Sequence, residues 1–409
     1  MSDYPYDDEL SSGGTAPSPN DLVSLMVSRL SEWLSYVTQD PPLDELKARA
    51  DKIMDDICAA SGVRGAQEVA AELALAVDSR FEALGLWRAW YPRLMGLYSP
   101  VMDEATKQAQ MNLFRCFMNF YLNRGDMVRA NIAINMLIDL AALQEDSSLK
   151  EAMLGAAAVA AALDKGDKGL VLAEQLLELA ETTGDHILMA EAYGVVAQFH
   201  ATRLDVPKTY MYGQMVMCAG LPVKPDRFIP RGLHYMALAF QVAQNAQKAL
   251  SYLDRAEAYA VVRGNVAQLE YMLLTRGACV YIAGDYAAAE THLRRAVEVF
   301  SGTGHYYAGA LYAHGLALMK LKRYEDSIEQ MEAALAEWKK MKREFDQIFA
   351  RHGLAEAYSQ IGQHREAIAH MAEALAVADS MPERCSPAFL KLLRDDFAVY
   401  VQRSQSPIR

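Results

Sequence analysis

Apolar residues return along this chain at helical spacing. Leu22, Leu25, Met26, Leu30, Trp33, Leu34 and Val37 form one stripe, and after Pro41 and Pro42 a second runs through Leu43, Leu46, Ala50, Ile53, Met54 and Ile57. Steps of three and four residues place these side chains on one face of an amphipathic helix, so residues 21–64 are expected to form a helical hairpin. A last stripe, Phe389, Leu392, Leu393, Phe397, Tyr400 and Val401, has charges between its members and suits a terminal helix with one wet face.

Between these ends one unit recurs. In YIAGDYAAAETHLRRAVEVF, Tyr281 to Phe300, a turn at Gly284, Asp285 and Tyr286 divides two helical patterns. The same turn, followed by a small residue five places on, returns at Gly125, Lys168, Gln244, Lys322 and Gly362. The landmarks lie about 40 residues apart except for one double gap, which predicts a further, decayed unit near Leu204. Gly277, Gly315, Ala355, Ala237 and Ala161 stand seven places before the landmarks, where Met118 does not fit. Ala289, Ser327, Ala367, Ala249, Ala173 and Ala130 stand five places after them. Small residues at a crossing let two helices approach to about 8–10 Å, and bulkier neighbours such as Leu293, Met331, Met371 and Leu253 fill the groove beside them.

These units resemble tetratricopeptide repeats, antiparallel helix pairs joined by a tight turn. Their length of about 40 residues exceeds the common 34-residue form and is similar to the long repeats of bacterial signalling proteins, Rap-type regulators and the sensor arms of MalT-like activators. The resemblance implies an all-α fold: a right-handed α-solenoid of antiparallel helix pairs with an N-terminal helical hairpin and a C-terminal capping helix. The expected organisation is an acidic disordered tail over 1–20, the hairpin over 21–64, linker helices or a degenerate repeat over 65–102, an array of about seven repeats over 103–380, and the cap and a frayed end over 381–409. Gly85 stands one period before Gly125, which suggests the degenerate repeat, although Asp78 occupies its usual small position. Trp87, Trp90, Tyr91 and Tyr98 make the densest aromatic cluster, read as either a hydrophobic joint or an exposed partner site.

Composition narrows the function. With 52 acidic against 40 basic residues the net charge is -12, which repels a phosphate backbone and disfavours nucleic acid as the partner. The longest near-apolar run, Ala152 to Leu163, is too short and Ala-rich to span a membrane, which takes about 20 apolar residues. Cys58, Cys116, Cys218, Cys279 and Cys385 are widely separated, so reduced thiols in a cytoplasmic protein are expected. The chain has no phosphate-binding glycine loop, no His-Glu-x-x-His and no Gly-x-Ser-x-Gly. His364 and His370 are poorly spaced for a shared metal, and the adjacent pairs Asp55-Asp56 and Asp395-Asp396 diverge on their helices. No catalytic residue, metal or cofactor is expected.

What remains is the inner surface. In tetratricopeptide arrays the first helices line a concave groove, and counting from the small residue gives its exposed positions. They are Asn112, Arg115, Asn119, Asn123, Gln198, Arg231, His234, Gln241, Tyr271, Tyr281, Tyr312, Lys320, His352, Glu356 and Gln360. Amides can bond a peptide backbone in both directions and aromatic faces can hold its side chains, so the expected partner is a protein or peptide. Arg115 with Asn119 is similar to half of the carboxylate clamp of tetratricopeptide co-chaperones, but Ala158 and Ala162 stand where the second half needs an amide, so no chaperone-tail binding is expected. Three functions stay open: an adaptor, a peptide-responsive regulatory sensor, and an enzyme whose site carries no recognised motif.

Overall fold

The structure, a computed structural model, describes residues 18–409 apart from 105, 142–147, 163–167, 224–227, 303, 383 and 406–409. Most of the tail expected over 1–20 therefore lies outside the described residues, but Pro19 and Asn20 already belong to the first helix. Among the described residues every regular element is helical. The chain divides into two compact units, one up to Glu82 with Leu86–Cys116, the other Ala83–Gly85 with Phe117–Arg409.

The first unit contains α1 (Pro19–Thr38), α2 (Leu43–Ser61), most of α3 (Gln67–Ala83), α4 (Trp87–Gly96), α5 (Tyr98–Glu104) and the start of α6 (Lys107–Arg124). The chain enters α1 through a capping box: the Ser18 hydroxyl accepts from the Asp21 amide, and the Asp21 carboxylate accepts from the Ser18 amide. Of the two predicted stripes, Leu30 and Val37 on α1 and Leu46, Ala50, Ile53, Met54 and Ile57 on α2 are buried, whereas Leu22 and Leu25 are exposed. The aromatic cluster does not act as one body. Trp90 is buried edge-on to Phe81 at 5.3 Å and donates its indole N–H to Asp78 at 3.0 Å, while Tyr98 is exposed. Asp78 thus takes the place of a small residue because the indole gives its buried carboxylate a donor.

In the second unit the end of α6 leads into α7 (Met127–Ala141), and helix pairs follow in order: α8 (Ser148–Ala162) with α9 (Lys168–Thr183), α10 (His186–Thr202) with α11 (Val206–Gly220), and α12 (Phe228–Val242) with α13 (Ala246–Val262). Then come α14 (Val266–Ile282) with α15 (Tyr286–Phe300), α16 (His305–Lys320) with α17 (Tyr324–Lys340), and α18 (Glu344–Gln360) with α19 (His364–Asp379), before α20 (Pro387–Gln405) closes the series. This is an α-solenoid. The decayed unit exists as α10 and α11, and Leu204 at its bend has φ 59°, in the left-handed region shared by Gly125, Gln244, Gly284, Lys322 and Gly362. Lys168 is no such bend. It opens α9, and the residues just before it are outside the described set.

Three of the second helices present the predicted small-large-small stripe in full. Ala249, Leu253, Ala256 and Ala260 of α13, Ala289, Leu293, Ala296 and Phe300 of α15, and Ala367, Met371, Ala374 and Ala378 of α19 are all buried. Ser327 replaces the alanine in α17 without leaving an orphaned hydroxyl, since Oγ donates to the Gly315 carbonyl at 2.7 Å. The misfit Met118 is also resolved. A Cβ on Gly155 of α8 would stand 2.5 Å from the Met118 sulfur, so the first helix of the next pair supplies a glycine where α6 has a bulky side chain.

Candidate functional site

The first helices of successive pairs also pack side by side, α8 with α10, α10 with α12, α12 with α14, α14 with α16 and α16 with α18. Residues one repeat apart therefore meet across neighbouring first helices. Arg231 of α12 forms an ion pair with Glu191 of α10, 40 residues earlier. Its guanidinium sits above Gly194, where an added Cβ would come within 3.1 Å of Nη2, so glycine makes room for the planar head. Burial alone would lower the Arg231 pKa, but Glu191 and the hydroxyl of Tyr235 hold its charge firmly in place.

Around this pair lie further polar and aromatic groups from neighbouring first helices. His234 Nε2 is 2.8 Å from Thr275 Oγ1 of α14. The ring of Tyr271 is 5.9 Å from Tyr306 of α16 and 6.1 Å from Phe300. Burial and the nearby Tyr235 push Tyr306 up to about 12, with the Arg231 charge opposing, so its hydroxyl keeps its proton at neutral pH. Glu191 and Arg231, Tyr235 and His234, Tyr271 and Thr275, and Tyr306 make one patch drawn from α10, α12, α14 and α16.

A second group gathers nearer the C-terminus. Tyr281 and Tyr312 are both held up, chiefly by burial, with Glu356 adding to the rise in each, so these three predicted positions share one neighbourhood. Tyr312 also leans on Trp338 at 5.5 Å and Phe349 at 6.5 Å. Tyr400 of α20 is likewise raised by burial, Asp396 and Glu356.

Other predicted positions fall differently. Asn112 is buried and accepts from Gln108 Nε2 at 3.2 Å within its own helix, so it is not an exposed groove residue. His352 Nε2 donates to the Asp396 carboxylate of α20 at 2.8 Å, because the terminal helix packs where the next first helix would lie. Asn123 offers its backbone: its carbonyl accepts from the Tyr271 hydroxyl. Arg115, Asn119 and Gln198 are half-buried, Gln241 is half-buried with a buried Oε1 that has no hydrogen-bond partner, and Lys320 and Gln360 are exposed. Counting offsets from one helix missed Glu191, Tyr235, Thr275 and Tyr306. The signal that finds the cross-helix pairs is the repeat period itself: Glu191 and Arg231 are 40 apart, His234 and Thr275 are 41 apart.

Among the described residues no cluster of three or more His, Cys, Asp and Glu could hold a metal, and no helix is long and apolar enough to cross a membrane.

Residues 306–380 match the tetratricopeptide repeat family model. In fold the chain is similar to a Rap protein complexed with competence and sporulation factor, at 11% identity over 82% of this chain and 98% of that one, with a TM-score of 0.51. Weaker likenesses are to the apo form of RapI (14% identity, 72% of this chain and 85% of that one, TM-score 0.42) and to the apo quorum sensor NprR from B. thuringiensis (11%, 81% and 98%, 0.43). No curated protein matches the chain in sequence. At such identities the likeness concerns the tetratricopeptide fold.

Proposed function

We propose that the chain is a non-enzymatic, cytoplasmic scaffold that binds a protein or peptide along the inner face of its first helices, within an array running from about 103 to 380. The observation that carries this reading is the patch built on Glu191 and Arg231 with Tyr235, Tyr271 and Tyr306. A fixed guanidinium, protonated phenols and aromatic faces are groups that hold a peptide backbone and its side chains, and none is a nucleophile activated by a neighbouring base. A peptide-responsive sensor is a specific form of the same reading, and the fold likeness to a Rap protein crystallised with a factor supports it.

The test is a random-peptide selection on the full chain, followed by titration of the selected peptides. Arg231→Gln and Tyr306→Ala should each weaken binding at least tenfold while Lys320→Gln leaves it unchanged. Equal affinity for all four proteins would overturn the groove assignment.

A further inference from the structure

The end of α6 meets helices that follow it by more than a hundred residues. The last carbonyls of an α-helix have no amide of their own to receive, and the first amides have no carbonyl. In α6 the Tyr121 and Leu122 carbonyls are taken by the Asp126 and Gly125 amides of the bend. The Asn123 carbonyl instead accepts from the Tyr271 hydroxyl of α14, 148 residues away. The Gly125 carbonyl accepts from the amide of His305, the first residue of α16, at 3.0 Å. Helices α10, α11, α13, α14 and α15 are capped by their own Asp185, Asp205, Asn245, Asn265 and Asp285, but the N-cap of α16 is Gly304, which has no side chain to offer. The bend after α6 is thus the cap of α16.

The fit is tight. Gly304 has φ 68°, and a Cβ there would stand 2.6 Å from the Gly125 carbonyl oxygen, so only glycine permits the approach. Arg124, 2% exposed, lies 3.7 Å from Glu270, the residue before Tyr271. Three consecutive residues, Asn123, Arg124 and Gly125, therefore each engage α14 or α16.

We propose that residues 123–125 form an intramolecular latch, held by Tyr271, Glu270 and His305, which occupies part of the inner face and must release before a ligand can reach Tyr271. The latch itself is independent of any ligand; its effect on binding rests on the groove reading above. Two positions expected to meet a peptide, Asn123 and Tyr271, are instead joined to each other. Ligand and latch compete for the same phenol, so the unliganded chain is self-occupied at this point.

Spin labels at Val128→Cys and Ser301→Cys, in a chain carrying Cys58→Ser and Cys218→Ser, report the separation of the bend from α16. Gly304→Val, and independently the milder Tyr271→Phe, should broaden and lengthen this distance and speed exchange of the His305 amide at least tenfold, with helical content unchanged. A peptide selected on the parent chain should bind Gly304→Val at least fivefold more tightly. Unchanged distances and exchange in both variants would overturn the latch, and so would a selected peptide that binds no more tightly to Gly304→Val, the opened variant that keeps the Tyr271 phenol. Failure to select any peptide would instead count against the groove reading, while the distance and exchange measurements would still decide the latch.

Discussion

His234 Nε2 and Thr275 Oγ1 are 2.8 Å apart, a hydrogen bond between first helices one repeat apart. Burial, reinforced by the Arg231 charge, holds the His234 pKa down at about 4. His305 is also held at about 4 by burial and Arg343, with Asp346 opposing. Both imidazoles are therefore neutral in the native chain at pH values where an unfolded histidine, with its ordinary value of 6.5, takes up a proton. Their contribution is fully present above the unfolded value and is lost as pH falls from there toward 4. Thermal melts should show a lower Tm at pH 5 than at pH 7, and the double variant His234→Gln, His305→Gln should lose less over the same interval. The effect is on the order of 1 kcal/mol per histidine, and identical pH slopes for parent and variant would sink this account.

Two glycines at helix crossings should respond differently to the same methyl group. On Gly232 of α12 a Cβ would meet the Gly213 carbonyl at 2.6 Å and the Met217 amide nitrogen at 3.0 Å, both backbone atoms. On Gly309 of α16 its nearest neighbour would be Leu274 Cδ2 at 3.7 Å, an ordinary van der Waals contact. Gly232→Ala should destabilise by about 2–3 kcal/mol, because α11 and α12 must move apart. Gly309→Ala should fall within about 1 kcal/mol of the parent, since no neighbour has to move and alanine favours the helix. Urea titration distinguishes the two, and the reverse order would refute the assignment of backbone contact.

The period was legible because it is a packing requirement repeated in several copies. Ala289, Leu293 and Ala296 are spaced as they are because one helix face must touch another, so the pattern appears in the chain itself. The unit at Leu204 was harder to read because Thr209 stands in the small position, buried, with its hydroxyl donating to the Asp205 carbonyl at 2.7 Å. The site was less legible for a different reason. Which inner residues point to a ligand and which to their own chain depends on partners elsewhere, as His352 with Asp396 and Tyr271 with Asn123 demonstrate. No offset within one helix contains that information.

Caps offer a stabilising change. Asp285 accepts from the Ala288 amide at 3.0 Å with φ -86° and ψ 79°, whereas Gln363 at the start of α19 has φ -84° and ψ 69° and makes no such bond. Since the backbone is already in the capping conformation, Gln363→Asp should stabilise by about 0.5–1 kcal/mol, and Asp285→Ala should destabilise by about 1 kcal/mol. Denaturation midpoints measure both. A neutral Gln363→Asp would mean that the α19 terminus is already satisfied by solvent.

The Glu191 and Arg231 pair should couple more strongly than a surface pair of the same type. Their side chains are 20% and 33% exposed, Gly194 leaves space for the guanidinium, and Tyr235 supports it from the next turn. By contrast Arg394 and Asp379, 2.8 Å apart, are 60% and 51% exposed, where water screens the attraction and both side chains lose freedom in holding one geometry. A double-mutant cycle on Glu191→Gln and Arg231→Met should give a coupling of about 1–2 kcal/mol, against about 0.5 kcal/mol or less for Asp379→Asn and Arg394→Met. The partly desolvated pair should also lose less of its coupling in 0.5 M salt, because ions reach it less readily than the exposed one. Equal couplings, or equal salt sensitivity, would mean that Arg231 behaves as an ordinary solvated side chain and that its fixed orientation contributes nothing to the proposed peptide site.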